Sequence, residues 1–223
     1  SSFVTDNLKM PSIAHKFKQN GVYPTKAMAY LMSRGIDWDI INEYNIGYNE
    51  FDINQKEFST RIILPSHDEY GNLNYWTGRD FTEIKGRQKY CNPKVERKDL
   101  IFNENKIQWD ADIVLVEGPF DHIVVPNSIP LLGKSLKTDF AIYNNIMTKA
   151  NANVIVWLDG DALNDVKKIY KLLNQGRLKG KVKYVPTETN LDPSDINKLY
   201  GKSGIIEHLM NATHFSEIEM LYI

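Results

Sequence analysis

Three short acidic segments in the second half of the chain could bind a metal ion together. Glu117 lies about one helical turn before Asp121, residues 159–161 have the sequence Asp-Gly-Asp, and residues 192–195 have the sequence Asp-Pro-Ser-Asp. Crowded carboxylates repel one another unless a cation joins them, and Mg²⁺ prefers oxygen ligands. The segments therefore predict a site for one or two magnesium-type ions that act on the phosphates of nucleotides or nucleic acids.

Taken singly, each segment has an ordinary alternative, because Asp-Gly-Asp is typical of a turn and Asp-Pro-Ser-Asp of a helix N-terminus. Their position along the chain favours the metal site. Apolar runs predict strands over residues 113–116, 131–132, 154–158 and 182–185. Helices are predicted from residue 120 and over residues 140–148, 166–173 and 194–200.

Apolar strands that alternate with helices predict a buried, mainly parallel sheet. Ligands of such sheets bind beyond the carboxyl ends of the strands. The acidic segments follow the first, third and fourth predicted strands. We therefore expect carboxylates from three separate strand ends to meet at one edge of the sheet.

The first part of the chain predicts a smaller, mixed region. Helical spacing of apolar residues indicates a helix over residues 26–34 and a second one from Asp37 to near Gly47. Residues 61–65 and 73–79 predict an antiparallel hairpin around the turn at 70–72. We predict an N-terminal helical and β basic subdomain over residues 1–110, a metal-binding domain over residues 111–210, and a C-terminal tail over residues 211–223.

The charge and cysteine content limit the class of protein. The net charge of −1 argues against a general DNA-coating protein, although residues 85–98 hold six bases and one acid, either a solvated face or a phosphate-binding surface. Cys91 is the only cysteine, so no internal disulfide and no cysteine-rich zinc site can form within this chain. The chain contains neither a long apolar run nor a signal-peptide pattern, and we expect a cytoplasmic location without membrane contact.

Two further patterns carry little weight. Residues 133–135 have the sequence Gly-Lys-Ser, but Ser128 stands where a phosphate-binding loop requires glycine, so a strand-to-helix turn is expected, with a minor role near substrate left open for Lys134. The five histidines show no spacing typical of metal ligands, and we expect them to be surface or core residues.

The acidic motifs resemble the Toprim domain in order and spacing: Val-Glu-Gly-Pro-Phe-Asp at 116–121, Leu-Asp-Gly-Asp at 158–161 and Asp-Pro-Ser-Asp at 192–195. Primases, topoisomerases, certain nucleases and recombination proteins share that domain. The upstream segments resemble the catalytic core of DnaG-type bacterial and phage DNA primases. They are residues 29–36, 44–48, 61–65, 78–79, 89–93 and 100–103.

The resemblance, which covers about residues 25 to 205, implies an α/β fold. It consists of a Toprim domain with a mainly parallel sheet flanked by helices, preceded by a small mixed α+β basic subdomain. The implied activity is metal-dependent, template-directed synthesis of short RNA primers on single-stranded DNA during replication. The implied partners are the template, ribonucleoside triphosphates, a replicative helicase and a zinc-binding module, the last two outside this chain, in a bacterial cell or phage-infected host.

The resemblance also assigns roles to residues. Glu117, Asp159 and Asp161 would be catalytic. The ligands of Mg²⁺ or Mn²⁺, two ions in all, would be Glu117, Asp121, Asp159, Asp161, Asp192 and Asp195. The residues that face nucleotide phosphates or template would be Arg61, Arg79, Lys89, Tyr90 and Asn92. The last motif has one extra residue between its acids, which weakens the assignment of Asp195. The family has a basic residue near residues 100–103, and here Asn-Glu-Asn-Lys at 103–106 stands there, which weakens the assignment of a role to Lys106.

Two alternatives remain open at this point. A Toprim-type nuclease would use the same ions to cleave nucleic acid, although the upstream segments argue against it. A non-catalytic nucleic-acid-binding module of the replisome would need none of the acids, and intact Glu117, Asp159 and Asp161 argue against that. A topoisomerase is disfavoured further, because no domain with a catalytic tyrosine is recognisable.

Overall fold

A computed structural model describes residues 8–11, 14–82, 84–186 and 191–220 and divides the chain into two compact units, Ser1–Val95 and Glu96–Ile223. Ile101 belongs to the hydrophobic core of the second unit, so the segment after residue 95 packs with that unit. The functional division at residues 110 and 111 remains a prediction. None of the helices in the described residues is long and apolar enough to cross a membrane.

The first unit contains a five-stranded antiparallel sheet in the order β1-β2-β3-β4-β5. Its strands are β1 (Ala14–Lys16), β2 (Gly47–Asn49), β3 (Arg61–His67), β4 (Leu73–Asp80) and β5 (Tyr90–Cys91). The central hairpin pairs Ile63 with Gly78 and turns through Gly71, whose φ of 84° suits glycine. The predicted hairpin is therefore confirmed, whereas the three short strands beside it lacked a sequence pattern long enough to predict them.

Two helices of the first unit follow the predicted pattern. They are α1 (Thr25–Ser33) and α2 (Trp38–Glu43). Gly35, with a φ of 68°, follows the end of α1. The Asp37 carboxylate caps α2 by accepting a hydrogen bond from the Ile40 backbone N–H at 3.0 Å. Gly35 and Asp37 therefore mark helix ends as the sequence predicted, whereas the predicted end of α2 near Gly47 is wrong, because α2 ends at Glu43 and Gly47 begins β2.

The second unit contains a four-stranded sheet in the order β7-β6-β8-β9, and each neighbouring pair is parallel. Its strands are β6 (Ile113–Val116), β7 (Ser128–Pro130), β8 (Val154–Val156) and β9 (Val182–Tyr184). Its helices are α3 (Pro119–His122), α4 (Ala141–Lys149), α5 (Leu163–Leu173), α6 (Pro193–Met210) and α7 (Glu217–Met220). The predicted α/β fold with a parallel sheet is confirmed.

Burial explains why the strands of this sheet are apolar throughout. All four residues of β6 and all three of β8 are buried, so both faces of these strands are covered. The apolar side of α5 packs into the same core through Val166, Ile169 and Leu173. Burial of both faces holds the strand ends, and the residues that directly follow them, in fixed positions.

Three elements of the second unit differ from the prediction. The second strand ends at Pro130 instead of covering 131–132, because Leu132 and Gly133 have φ values of 54° and 147°, which a strand cannot accommodate. Helix α6 continues past the predicted residue 200 to Met210. It does so through a kink at Gly201, whose φ of 65° and ψ of −162° are essentially restricted to glycine.

The third difference concerns the end of the chain, where the sequence after residue 210 has no clear pattern. Thr213 forms a bridge with Tyr184 at the edge of β9. The buried ring of Phe215 stacks on the Tyr184 ring with centroids 3.6 Å apart. The residues that were predicted as a tail therefore pack against the parallel sheet as far as they are described.

Candidate functional site

Three neighbouring strands of the parallel sheet lead to the acidic segments. Glu117 directly follows β6, Asp159 lies just after β8, and Asp192 caps the helix that follows β9. Since β6, β8 and β9 are parallel neighbours, their carboxyl ends lie at the same edge of the sheet. The predicted meeting of these acids is supported by their mutual effects on their pKa values.

Glu117 is a half-buried acid of this cluster. Burial first, and then the charge of Asp159, raises the pKa of Glu117 to about 7. Its Oε2 atom is buried and has no hydrogen-bond partner among the described residues, and the Lys134 ammonium is 3.9 Å away. A buried acceptor of this kind favours the approach of a proton or a cation.

Asp159 and Asp161 differ although one residue separates them. Burial, followed by the charge of Asp192, raises the pKa of Asp159. Asp161 is exposed, and its hydrogen bond from the Lys134 ammonium, 2.6 Å long, lowers its pKa. Asp161 thus has the Lys134 ammonium in direct contact, whereas at Asp159 burial and the charge of Asp192 outweigh the charge of Lys134.

Asp121 connects two of the acidic segments through the backbone. Its carboxylate accepts hydrogen bonds from the N–H groups of Gly118 at 3.0 Å and Ser194 at 3.2 Å. Burial, followed by the charges of Asp192 and Asp159, raises the pKa of Asp121 to about 8. Since both oxygens hold backbone groups, this geometry suits a residue that positions the segments around Glu117 and Asp192.

Asp192 and Asp195 lie at the start of α6. Asp192 is the N-cap, and its carboxylate accepts a hydrogen bond from the Asp195 backbone N–H at 2.6 Å. Asp192 is also close enough to Asp121 and Asp159 to raise the pKa of each. The same side chain therefore begins a helix and contributes negative charge to the cluster, whereas Asp195 contributes its backbone to the cap.

The donor set suits a hard divalent cation, because it consists of carboxylate oxygens, one of them buried without a hydrogen-bond partner. Within the described ranges, with their gaps at 12–13, 83 and 187–190, no group of three or more Asp, Glu, His or Cys side chains has the arrangement of a formed metal site. The ammonium of Lys134 instead contacts Asp161 and lies near Glu117. The carboxylate ligands thus suit a divalent cation, while the ammonium of Lys134 lies beside two of them.

The sequence pattern predicted only a minor role for Lys134, although this residue lies in the acidic cluster. The expected strand-to-helix turn is present after β7, yet it delivers an ammonium directly to the acids. One sequence signal could have identified this role of Lys134. The lysine lies just beyond the end of β7, which neighbours β6, the strand before Glu117.

The side chain of Arg61, in the first unit, lies inside the protein and not in the expected substrate-facing position. Its side chain is 1% exposed. The guanidinium donates hydrogen bonds to the backbone carbonyls of Glu57 at 2.6 Å, Gly78 at 3.1 Å and Gln88 at 3.2 Å. The described conformation therefore uses Arg61 to hold the loops beside β3 and β4, because a buried guanidinium needs fixed acceptors.

The other predicted basic and polar residues of the first unit surround aromatic rings and a cavity. The Arg79 guanidinium lies 5.0 Å and the Lys89 ammonium 5.8 Å from the centre of the Tyr90 ring. Asn92 accepts a hydrogen bond from the Thr77 hydroxyl at 2.6 Å. A cavity of about 250 Å³ is lined by Arg79, Asp80, Ile84, Arg87 and Lys89. Arg87 forms an ion pair with Asp80 at 3.3 Å, so Arg79 and Lys89 are the cations of the lining that suit an anionic group.

The fold that carries this acidic edge is that of the catalytic core of bacterial DnaG-type primases. The chain superposes on the zinc-binding and RNA polymerase domains of Aquifex aeolicus primase with a TM-score of 0.68 and 20% identity, covering 86% of this chain and 57% of that one. It superposes on the RNA polymerase domain of Mycobacterium tuberculosis primase DnaG, in complex with double-stranded DNA that has a 6-nucleotide overhang, with a TM-score of 0.67 and 16% identity, covering 85% and 74%.

Among related sequences, the DNA primase of Lactococcus lactis is 27% identical to this chain in an alignment of 243 positions that covers 88% of the chain. The chain spans 36% of the length of that enzyme. No model of a known protein family matches. The resemblance to a DnaG-type primase core, predicted from the motifs, is thus confirmed by both sequence and fold.

Proposed function

We propose that this chain is the catalytic core of a DNA primase, which joins ribonucleotides into short RNA primers on a single-stranded DNA template. The observation that carries the proposal is the convergence of Glu117, Asp159 and Asp161 at the carboxyl edge of a sheet in a primase-type fold. Such a cluster would serve nucleotidyl transfer by holding divalent ions, because their positive charge would stabilise the negative charge that develops on the phosphate oxygens.

Glu117, Asp159 and Asp161 would hold Mg²⁺ or Mn²⁺, two ions in all, with Asp192 and Asp195 as the further ligands inferred from the motif. When bound, the ions would stabilise the attacking and the leaving oxygens of phosphoryl transfer. Asp121 would act through its backbone contacts, since it fixes the N–H groups of Gly118 and Ser194. It would thereby keep the acidic segments in place while charge changes nearby.

In the first unit, Arg79, Lys89, Tyr90 and Asn92 would bind nucleotide phosphates or the template. The cations around the 250 Å³ cavity would receive phosphate oxygens, and the Tyr90 ring could stack on a base. We leave Arg61 out of this set, because its guanidinium is buried and bonded to backbone carbonyls.

We base the proposed domains, partners and site of action on the related primases. We propose that residues 1–110 form the basic subdomain, residues 111–210 the Toprim metal-binding domain and residues 211–223 a C-terminal extension of it. The template, ribonucleoside triphosphates, a replicative helicase and a zinc-binding module outside this chain would be the partners. The site of action would be the cytoplasm of a bacterial cell or a phage-infected host.

An extension assay tests the proposal. The chain is incubated with a single-stranded DNA template that carries a short annealed RNA, with ribonucleotides and with Mg²⁺ or Mn²⁺, so that start-site selection is not required. We expect labelled RNA to lengthen with the wild type and with Asp139→Asn, a change in an exposed acid, and not with Glu117→Gln. Shortening of labelled DNA would instead support the nuclease alternative, and no metal-dependent product at all would contradict the proposal.

A further inference from the structure

The loop that follows β7 holds Lys134 at the acidic edge in a defined conformation. The Gly133 N–H donates a hydrogen bond to the Glu117 carbonyl at 3.2 Å, which joins the loop to the backbone of the catalytic acid. Leu132 and Gly133 both have positive φ values, and at Leu132 such a value is unfavourable for a branched residue. The surrounding contacts must therefore fix this backbone.

Arg97 supplies those contacts. Its guanidinium donates to the Leu132 carbonyl at 2.9 Å and to the Ser135 hydroxyl at 3.0 Å, so it brackets the residues on both sides of Lys134. It also lies 5.4 Å from the centre of the Phe140 ring. A Cβ atom at Gly133 would clash with the end of the Arg97 side chain, so glycine allows this close approach without displacing the guanidinium.

The fixed loop directs the Lys134 ammonium to two of the acids. The ammonium is 2.6 Å from Asp161 Oδ1 and 3.9 Å from Glu117 Oε2, an atom without a hydrogen-bond partner. An exposed ion pair by itself contributes little to stability. Here, however, the ammonium is held by a loop that Arg97 fixes through hydrogen bonds. It contacts carboxylates that the proposed function assigns to a divalent ion.

We propose that Lys134 is a built-in counter-cation of the acidic site, which reduces repulsion among the carboxylates and must be displaced when a divalent ion binds. Lys134 therefore sets the metal affinity of the site, and Arg97 is a positioning residue that acts through Lys134. The inference rests on the proposed function, since it takes Glu117 and Asp161 as metal ligands. The displaced ammonium remains at the edge, where the phosphates of the substrate would bring new negative charge.

Binding of Mn²⁺ tests the inference without any measurement of catalysis. Isothermal titration calorimetry and the electron paramagnetic resonance of free Mn²⁺ give the dissociation constant of the whole chain. For Lys134→Gln we expect Mn²⁺ to bind roughly fivefold more tightly, because the competing ion pair is gone. Lys137→Gln, the same charge change at an exposed lysine three residues away, should leave the affinity within twofold of wild type.

Arg97→Gln should shift the affinity in the same direction as Lys134→Gln. The double variant should bind Mn²⁺ no more tightly than Lys134→Gln alone, because Arg97 acts through Lys134. Without metal, the melting temperature should fall more in Lys134→Gln than in Lys137→Gln, and added Mn²⁺ should remove most of that difference.

The outcomes separate the two proposals. If the wild type binds Mn²⁺ and Glu117→Gln does not, but Lys134→Gln binds with unchanged or weaker affinity, the counter-cation inference is overturned while the metal site stands. If the wild type and Glu117→Gln bind Mn²⁺ equally, the metal site itself fails. Circular dichroism of Lys134→Gln and of the alternative Lys134→Met ensures that the affinities compared are those of folded proteins.

Discussion

Arg61, the first residue of β3 in the first unit, and Glu117, which directly follows β6 in the second, are both ionisable residues at a strand boundary, yet their surroundings are opposite. Arg61 is completely enclosed, and backbone carbonyls accept its hydrogen bonds. Glu117 has a buried oxygen without such a partner among the described residues, and burial, followed by the charge of Asp159, raises its pKa. A buried charge with fixed partners holds a structure together, whereas one that lacks them is available to bind a cation or a proton.

The largest effect expected from this contrast is the loss of activity in Asp159→Asn. The change removes an anionic ligand and keeps the shape of the side chain. We expect primer extension to fall by more than the roughly 100-fold that loss of an outer-shell partner can cause. Rates of RNA extension with Mg²⁺ measure it, and an unchanged melting temperature would show that the fold is intact. Activity within tenfold of wild type would mean that Asp159 is not a ligand.

Arg61→Met should give the converse result, a large loss of stability. The change leaves several backbone carbonyls without donors, and each such group costs about 1 to 3 kcal/mol. Urea unfolding followed by tryptophan fluorescence measures the free energy of unfolding. Arg34→Met, at a less buried arginine on the same unit, is the matched control and should change it little. A stable Arg61→Met protein that fails only to bind nucleotide would reverse the assignment.

The pH dependence of stability should reveal the raised pKa values of the carboxyl groups at the acidic edge. The pKa values of Glu117 and Asp121 in the folded chain, about 7 and about 8, lie above their ordinary values. The folded chain therefore holds protons more tightly than the unfolded chain, and the stability due to these groups falls as the pH rises from about 4 to about 8. Without metal, the melting temperature of wild type should fall more between pH 5 and pH 8 than that of Glu117→Gln.

Added Mg²⁺ should reduce this difference between wild type and Glu117→Gln at pH 8, because the ion takes the place of the protons. An equal pH dependence in the two proteins would show that Glu117 is not held in a repulsive cluster.

The smallest effect expected is that of Lys89→Gln in the first unit. If the Lys89 ammonium contacts a template phosphate, its loss weakens binding of all sequences alike and lowers the slope of log affinity against log salt concentration by about 1. Fluorescence anisotropy of labelled single-stranded DNA at several salt concentrations measures the slope. Lys85→Gln, at an exposed lysine nearby, is the control, and equal slopes in the two variants would remove Lys89 from the interface.

Much of the fold could be predicted, because its central elements are encoded by local patterns. The apolar run at β6, the capping Asp37 and the glycine turn of the hairpin each have a direct physical meaning, and each is present. The strand at 131–132 could not be placed correctly, because Leu131 and Leu132 are apolar and nothing in their types reveals the positive φ of Leu132. The extension of α6 was missed because Gly201 looks like a helix end.

The candidate site could be predicted in its composition and less well in its contacts. Spacing along the chain indicated that Glu117, Asp159 and Asp192 share an edge, because parallel strands align their ends. Spacing could not reveal that Asp121 bonds to the backbone of Ser194, or that Arg61 turns inward, since both depend on distant segments. The contact of Lys134 with Asp161 was missed for the same reason.

Anomalous scattering from crystals soaked in Mn²⁺ tests the central claim most directly, because it locates the ions regardless of activity. We predict peaks within coordination distance of carboxylate oxygens of Glu117, Asp159 and Asp161, with the Lys134 ammonium moved away from Asp161. Crystals with Mn²⁺ bound elsewhere, and with the acidic edge and its lysine contact unchanged, would contradict the assignment of this edge as a metal-dependent catalytic site.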